Sequence, residues 1–323
     1  MTTAGQQQQT LGELLADAPR NWGRWGDDDE VGCLNFQTPD EVVRGVKHVR
    51  AGKVFTLGVP IGNPGGDPVW PGRAGATRLM TQDRSDYVAG KLQSMPGGLE
   101  YADDYITAFL QGSSQYDALG HTWYGGKIYN GYDAMTTTGG LAKCGVDKIA
   151  KRGVVGRGVL IDMARHRGKK ALGRGETFGV EDLEAAAEAQ GVEIEQHDNL
   201  LIRTGWLSVF YDEGADAFYG DQFIEPGLTY SPELVNWFHE REIISLSTAT
   251  IANEVTVEPE TGIVLPLHNA LMNNLGILFS EIIWLDDLAE DCASDGQWSF
   301  LYAAAPINVV NGTGAPVNPI VVK

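Results

Sequence analysis

Three cysteines in 323 residues, Cys33, Cys144 and Cys292, stand far apart and form no Cys-x-x-Cys pair. That scarcity excludes a disulfide framework and a cysteine-built structural zinc site, and it points to a reducing compartment. Basic residues are also few: Lys plus Arg number 24 against 43 Asp plus Glu, a formal net charge of -19. Such an acidic surface repels phosphate backbones and anionic membranes, so neither nucleic acid nor membrane is expected as a partner. No apolar run reaches the roughly 18 residues that a membrane helix needs. The start, Met1-Thr-Thr-Ala-Gly-Gln-Gln-Gln-Gln9, lacks the basic and apolar regions of a secretory signal. A cytoplasmic protein is expected. What is present, 43% hydrophobic and 21% charged residues, is the composition of a globular chain long enough to bury a substantial core.

The chain reads as a mobile arm over 1–20, in which Leu11, Leu14 and Leu15 could form one amphipathic turn, followed by a single domain over 21–323. Two tryptophans in Asn21-Trp-Gly-Arg-Trp-Gly26 precede the acidic run Asp27 to Glu30. A helix is predicted over 39–52, from Pro and acids at its start to bases and Gly at its end. A strand is expected over 53–59. Residues 62–73 hold three prolines and four glycines around Trp70, which makes a loop and a candidate lid. Residues 80–95 read as irregular. From Gly145 strands and helices alternate: a strand over 157–162, a helix over 180–191 with a Gly stop, a strand over 199–206 and a helix opening at Ser231-Pro. A short strand follows at 243–246, then helix into strand over 265–279 and a strand with an Asn-Gly turn in 306–316. An α/β fold is therefore expected, with no linker rich enough to divide it.

Gln111-Gly-Ser-Ser-Gln-Tyr-Asp-Ala-Leu-Gly-His121 gathers amides, a carboxylate and an imidazole into eleven residues. In extended chain Gln111, Ser113, Gln115 and Asp117, with His121 if the pleat persists, share one face. Either that face is a solvated edge, or its side chains converge on a site. Tyr116, Trp123, Tyr124 and Tyr129 stand close by and would suit a flat or hydrophobic substrate, although they would equally suit a core or an interface. Arg203, in an apolar strand, either pairs a buried acid or binds a substrate carboxylate. Asp162 closes a strand end. His48, His166, His197 and His239 are given no role.

The run resembles the motif His-x-Gly-Thr-His-x-Asp-x-x-x-His of the cyclase family, which includes arylformamidases (kynurenine formamidases), isatin hydrolase-like imide and amide hydrolases and some cyclases of secondary metabolism. Asp117 and His121 stand at the motif's Asp and last His, Ser114 replaces its Thr, and Gln111 and Gln115 replace its two metal-binding His. Ser114-Gln-Tyr-Asp117 with Tyr129-Asn-Gly131 is similar to a longer-chain subgroup. So are Trp22-Gly with Leu34-Asn35, Gly158-Val-Leu-Ile-Asp162, the helix at Glu181-Asp-Leu, Leu200-Leu-Ile-Arg-Thr-Gly-Trp206, Gly276 with Glu281, and Gly312-Thr-Gly-Ala-Pro316. The resemblance covers residues 20 to 320.

It implies a swivelling β/β/α fold with a mixed sheet, and a hydrolase that cleaves an amide, imide or lactone of a small substrate with activated water. It also implies His121 as acid-base, Asp117 and Glu281 at the centre, and Gln111, Gln115, Asp117, His268 and Glu281 as the candidate metal set. So oxygen-rich a set suits Mn²⁺, Mg²⁺ or Ca²⁺ better than Zn²⁺, and with two motif His replaced by Gln a site without metal is the alternative. The other readings are a metal-independent cyclase or isomerase in which His121 and Glu281 act alone, and a degenerate member that only binds a ligand. The family also implies a homodimer or homotetramer.

Overall fold

The computed structural model describes residues 9–323. Its strands, in chain order, are β1 (Val54–Thr56), β2 (Thr77–Gln82), β3 (Asp103–Thr107), β4 (Gln115–Asp117), β5 (Val154–Asp162), β6 (Thr177–Phe178) and β7 (Asn199–Arg203). They continue with β8 (Gly227–Leu228), β9 (Ser245–Thr248), β10 (Leu278–Glu281), β11 (Ser299–Ala304), β12 (Gly314–Pro316) and β13 (Ile320–Val322). Nine of them form one mixed sheet in the order β1-β13-β11-β5-β7-β9-β10-β4-β12. The central strands β5, β7, β9 and β10 run parallel, and antiparallel pairs extend the sheet on both sides. Parallel strands need cover on both faces, and every residue of β7, β9 and β10 is buried. The cover comes from crossover helices such as Val180–Gln190, stopped by the left-handed Gly191, and Pro232–Glu240, whose cap Ser231 accepts from the Leu234 N–H. The expected α/β fold with a mixed sheet is the fold observed.

Several elements differ from the sequence reading. Of the expected arm, residues 1–8 lie outside the described residues, whereas Thr10 caps a helical turn, Leu11–Leu14, and Leu15 is fully buried. Tyr230 Oη donates to the Leu14 carbonyl, so residues 10–20 are docked and not a free arm. Residues 80–95, read as irregular, include part of β2 and a short helix, Arg84–Val88, capped by Asp83. The helix beginning at Pro39 ends at Val46. The extended run expected from Gln111 is strand only over Gln115–Asp117, where pairing on both edges holds it open. The helix after Leu265 is a wide π-type turn, His268–Leu275.

The N-terminal segment closes the far end of that wide helix. Asn21 and Trp22 donate to the carbonyls of Asn274, Leu275 and Asn273, satisfying acceptors that a helix end leaves open. Asn130 accepts from the Gly23 N–H and donates to the Gly26 and Asp29 carbonyls, while Tyr129 Oη donates to Asp29. The pairing of Trp22-Gly with Tyr129-Asn-Gly131 in the sequence is therefore a contact. Where Gly32 crosses Gly276, a Cβ on Gly32 would lie 2.3 Å from the Gly276 oxygen, so no larger residue fits.

Candidate metal and acid-base site

Strand register builds the centre of the site. In the antiparallel β4/β10 pair Glu281 lies opposite Gln115, and in β4/β12 Gly314 lies opposite Asp117. Alternation sends Gln115 and Asp117 to one face and Tyr116 to the other. Gln115 Nε2 donates to Glu281 Oε2 at 2.8 Å. Gln115 Oε1 and Asp117 Oδ1 are buried and have no hydrogen-bond partner.

His268 enters from the first turn of the π-type helix. Glu254 accepts from the backbone N–H groups of Leu267 and His268, both at 2.7 Å, and from His268 Nδ1 at 2.7 Å. A carboxylate on Nδ1 fixes the ring and directs Nε2 inward, where it lies 3.3 Å from Glu281 Oε1. Burial alone would depress the His268 pKa, but the flanking carboxylates of Glu254 and Glu281 outweigh it and hold the group at about 10. Glu281 is shifted upward, first by burial and then by the charge of Asp117. Asn253 Nδ2, on a residue at φ 57°, lies 3.5 Å from Glu281 Oε1. Ile282, next to Glu281, is also left-handed at φ 57°, a costly conformation for a β-branched residue. It is held there by its N–H on the Thr250 carbonyl and by Ser114 Oγ, which donates to its carbonyl at 2.5 Å.

Donor atoms of Asp117, His268 and Glu281 lie within 4.8 Å of one another. These residues fit a divalent cation: two carboxylates and one oriented imidazole converge, and the free oxygens of Gln115 and Asp117 beside them have no protein partner.

His121 closes the open side. Its Nε2 is 3.9 Å from Asp117 Oδ2, and 22% of its side chain is exposed. Desolvation is the largest influence on its pKa and lowers it despite the Asp117 charge, leaving a neutral imidazole at pH 7. Gln111 Nε2 lies 3.5 Å from His121 Nδ1 and donates to Thr313 Oγ1 at 3.0 Å. It fits only because position 314 is glycine, where a Cβ would lie 2.7 Å from the Gln111 Nε2. The Gln111 carbonyl accepts from Arg73 at the end of the proline- and glycine-rich loop. Asp67 gathers the N–H groups of Gly62, Asn63 and Ala76, and Tyr219 Oη bonds both polar groups of the Val69 backbone, so this loop is pinned. Beside Arg73 opens a groove of about 520 Å³ lined by Trp70, Tyr219 and Phe223 among others.

The structure thus brings together Asp117, His121, His268, Glu281 and Gln115, with Gln111 bonded to Thr313 and not to the carboxylates. Other sequence candidates lie elsewhere. Tyr116 is fully buried on the opposite face, its hydroxyl 2.9 Å from that of Tyr302. Tyr124 Oη bridges Arg20 and Asn274, and Trp123 is 45% exposed at the surface. Arg203 donates to Asp162, Asp286 and the Lys170 carbonyl, which leaves its guanidinium engaged by the fold, so the substrate-binding reading is corrected to a structural one. Sequence reasoning missed Glu254, Asn253, Arg73 and the role of Thr313. An acid to orient His268 could have been sought, but only the fold says that it lies 14 residues upstream.

Comparison with known proteins identifies the family and the fold. A profile of the Cyclase family matches residues 55–255. A crystal structure described as a novel cyclase superposes with a TM-score of 0.85 at 35% identity, over 98% of this chain and 100% of that one. Isatin hydrolase A from Labrenzia aggregata, bound to benzyl benzoate, gives a TM-score of 0.59 at 20% identity, over 87% of this chain and 97% of its own. A predicted metal-dependent hydrolase from Bacillus stearothermophilus gives 0.52 at 14% identity, over 84% and 98%. No curated protein matches the chain. With the profile spanning more than half of its length and a cyclase matching nearly all of it, this chain belongs to the Cyclase family.

Proposed function

We propose that the protein hydrolyses an amide, imide or lactone bond in a small cyclic substrate. The observation that carries the reading is the convergence of Asp117, His268 and Glu281 beside unpaired oxygens of Gln115 and Asp117. A divalent cation held there would lower the pKa of a bound water and polarise the substrate carbonyl. His121, neutral at pH 7 and beside Asp117, accepts the proton of the attacking water and returns it to the departing nitrogen or oxygen. Hydrolysis leaves a carboxylate, and the guanidinium of Arg73 provides a positive charge where that product forms. The aromatic groove of Trp70, Tyr219 and Phe223 beside Arg73 favours a flat substrate, in place of the wall of Tyr116, Trp123 and Tyr124 expected from sequence. The isatin hydrolases that share the fold act on a substrate of that shape, and in this chain the same class is a proposal.

A metal-independent cyclase or isomerase is the second reading. It is favoured by His268 standing between the carboxylates of Glu254, at hydrogen-bond distance, and Glu281, at 3.3 Å, an arrangement that balances charge without a cation.

Metal content of protein purified without chelator separates the two. Stoichiometric Mn, Mg or Zn that is lost in Asp117→Asn and His268→Ala supports the hydrolase. In His121→Ala the metal should remain while turnover of a cyclic imide or lactone falls by about 10² to 10⁴-fold. Wild-type protein that holds no metal and takes up none on addition would overturn the hydrolytic reading in favour of the second.

A further inference from the structure

Glu225 is a fully buried acid outside the donor cluster, and among the described residues no cation pairs with it. Burying a carboxyl without a positive partner is costly, so what its oxygens hold has to matter to the fold. Both oxygens lie 3.0 Å from one donor, the Ile251 N–H, and the Glu225 N–H donates to Thr256 Oγ1 at 2.9 Å. The acid thus spans the segment from Ile251 to Thr256. A second contact grips the same segment: at Gly227 a Cβ would lie 2.4 Å from the Glu254 carbonyl carbon, and the Leu228 carbonyl accepts from the Val255 N–H at 2.9 Å. Between these grips the chain turns sharply. The Glu254 N–H reaches the Ala252 carbonyl at 2.6 Å, and Asn253 takes its left-handed φ of 57°. Such a backbone costs free energy in a residue other than glycine and persists where its surroundings fix it. The turn aims two side chains at the site: Glu254 holds His268 Nδ1 at 2.7 Å, and Asn253 Nδ2 lies 3.5 Å from Glu281 Oε1.

We infer that Glu225 is a positioning residue of the proposed site, acting through the turn at 251–254 on His268 and Glu281. Its effect on metal binding rests on the hydrolytic reading of that site; its effect on the His268 ring does not. With the Ile251 N–H released, the turn loses the contact that fixes its start, and Glu254 no longer meets His268 Nδ1 in the geometry that directs Nε2 inward. Partners that orient a metal-binding imidazole are typically worth 10 to 100-fold in metal affinity. Burial pushes the Glu225 carboxyl well above the ordinary carboxylate range, and the charge of Glu281 adds to that, so a neutral amide is its faithful replacement.

Proton NMR of the full-length chain without added metal reads the ring directly. The His268 Nδ1–H, bonded to a buried carboxylate, should give a slowly exchanging downfield signal, identified by its absence in His268→Gln. That signal should vanish in Glu225→Leu, which leaves the Ile251 N–H unpaired, and persist in Glu225→Gln, which keeps an acceptor. Mn²⁺ affinity in a chelator competition should fall by about 10 to 100-fold in Glu225→Leu and return close to the wild-type value in Glu225→Gln. Arg203→Ala, a buried change outside the site, should lower the melting temperature and leave both readouts at wild type. If Glu225→Leu does not fold, Thr256→Val, which removes the acceptor of the Glu225 N–H, should shift both readouts in the same direction. A folded Glu225→Leu, or in its place Thr256→Val, that keeps the downfield signal overturns the inference, as does loss of the signal in Arg203→Ala. Wild-type protein that takes up no Mn²⁺ overturns the hydrolytic reading instead, and the His268 signal still decides Glu225.

Discussion

Arg203 and Glu254 show how much a single side chain's neighbours decide. Arg203 is buried against two carboxylates, and deleting one member of such a pair leaves the other charge uncompensated. Arg203→Ala should therefore destabilise the fold by roughly 3 to 5 kcal/mol, read as a lower melting temperature. At a temperature where the variant is folded, KM should stay at the wild-type value; a large rise in KM alone would return Arg203 to the substrate. Glu254 touches no proposed ligand position except through His268, so it acts as a positioning residue. Glu254→Gln should lower metal affinity by about 10 to 100-fold in a chelator competition while the metal-to-protein ratio at saturation is kept. An unchanged affinity would mean that Glu254 serves the helix start alone. The sequence displayed Asp117, His121 and Glu281 as a resemblance, but Glu254 appeared there as one acid among 43 acidic residues.

At the scale of elements, the loop between β5 and β6 depends on one carboxylate. Glu176 accepts from Arg167, Lys169 and the Gly173 N–H, each within 2.8 Å. Partial burial pushes its pKa up, and those three donors outweigh that and bring it down to about 2 from an ordinary 4.5. A carboxylate with a depressed folded pKa stabilises the native state above its unfolded pKa, and that contribution is lost as pH falls through the folded value. Glu176→Gln should thus lower the melting temperature most at neutral pH, and the gap from wild type should close between about pH 4.5 and about 2; a gap constant with pH would contradict the assignment. The helices over 180–190 and 232–240 and the buried strands β5 and β7 were legible because periodicity and caps are local. β2 and β3 were not, and the helix read within 265–279 was legible as a helix but not in its π-type width, which is held by partners distant in sequence in the N-terminal segment.

At the scale of the whole molecule, local chemistry and long-range pairing divide the work. The sequence by itself determined the acidic surface, the absence of a cysteine framework, the alternation of strands and helices that makes a parallel-centred sheet, and the stretch from Gln111 to His121 that carries half of the site. Each follows from composition or from spacing within a few residues, which the chain keeps whatever its tertiary arrangement. Only the tertiary structure decided that β4 runs between β10 and β12, which brings Glu281 opposite Gln115 and makes Gly314 the floor under Gln111. It likewise decided that Glu254 orients His268 and that Arg203 is engaged by Asp162, Asp286 and the Lys170 carbonyl. The reason is physical: a cluster of donors within 4.8 Å is a property of strand register and helix placement, and register is set by burial of both faces of a sheet, which no stretch of sequence contains alone.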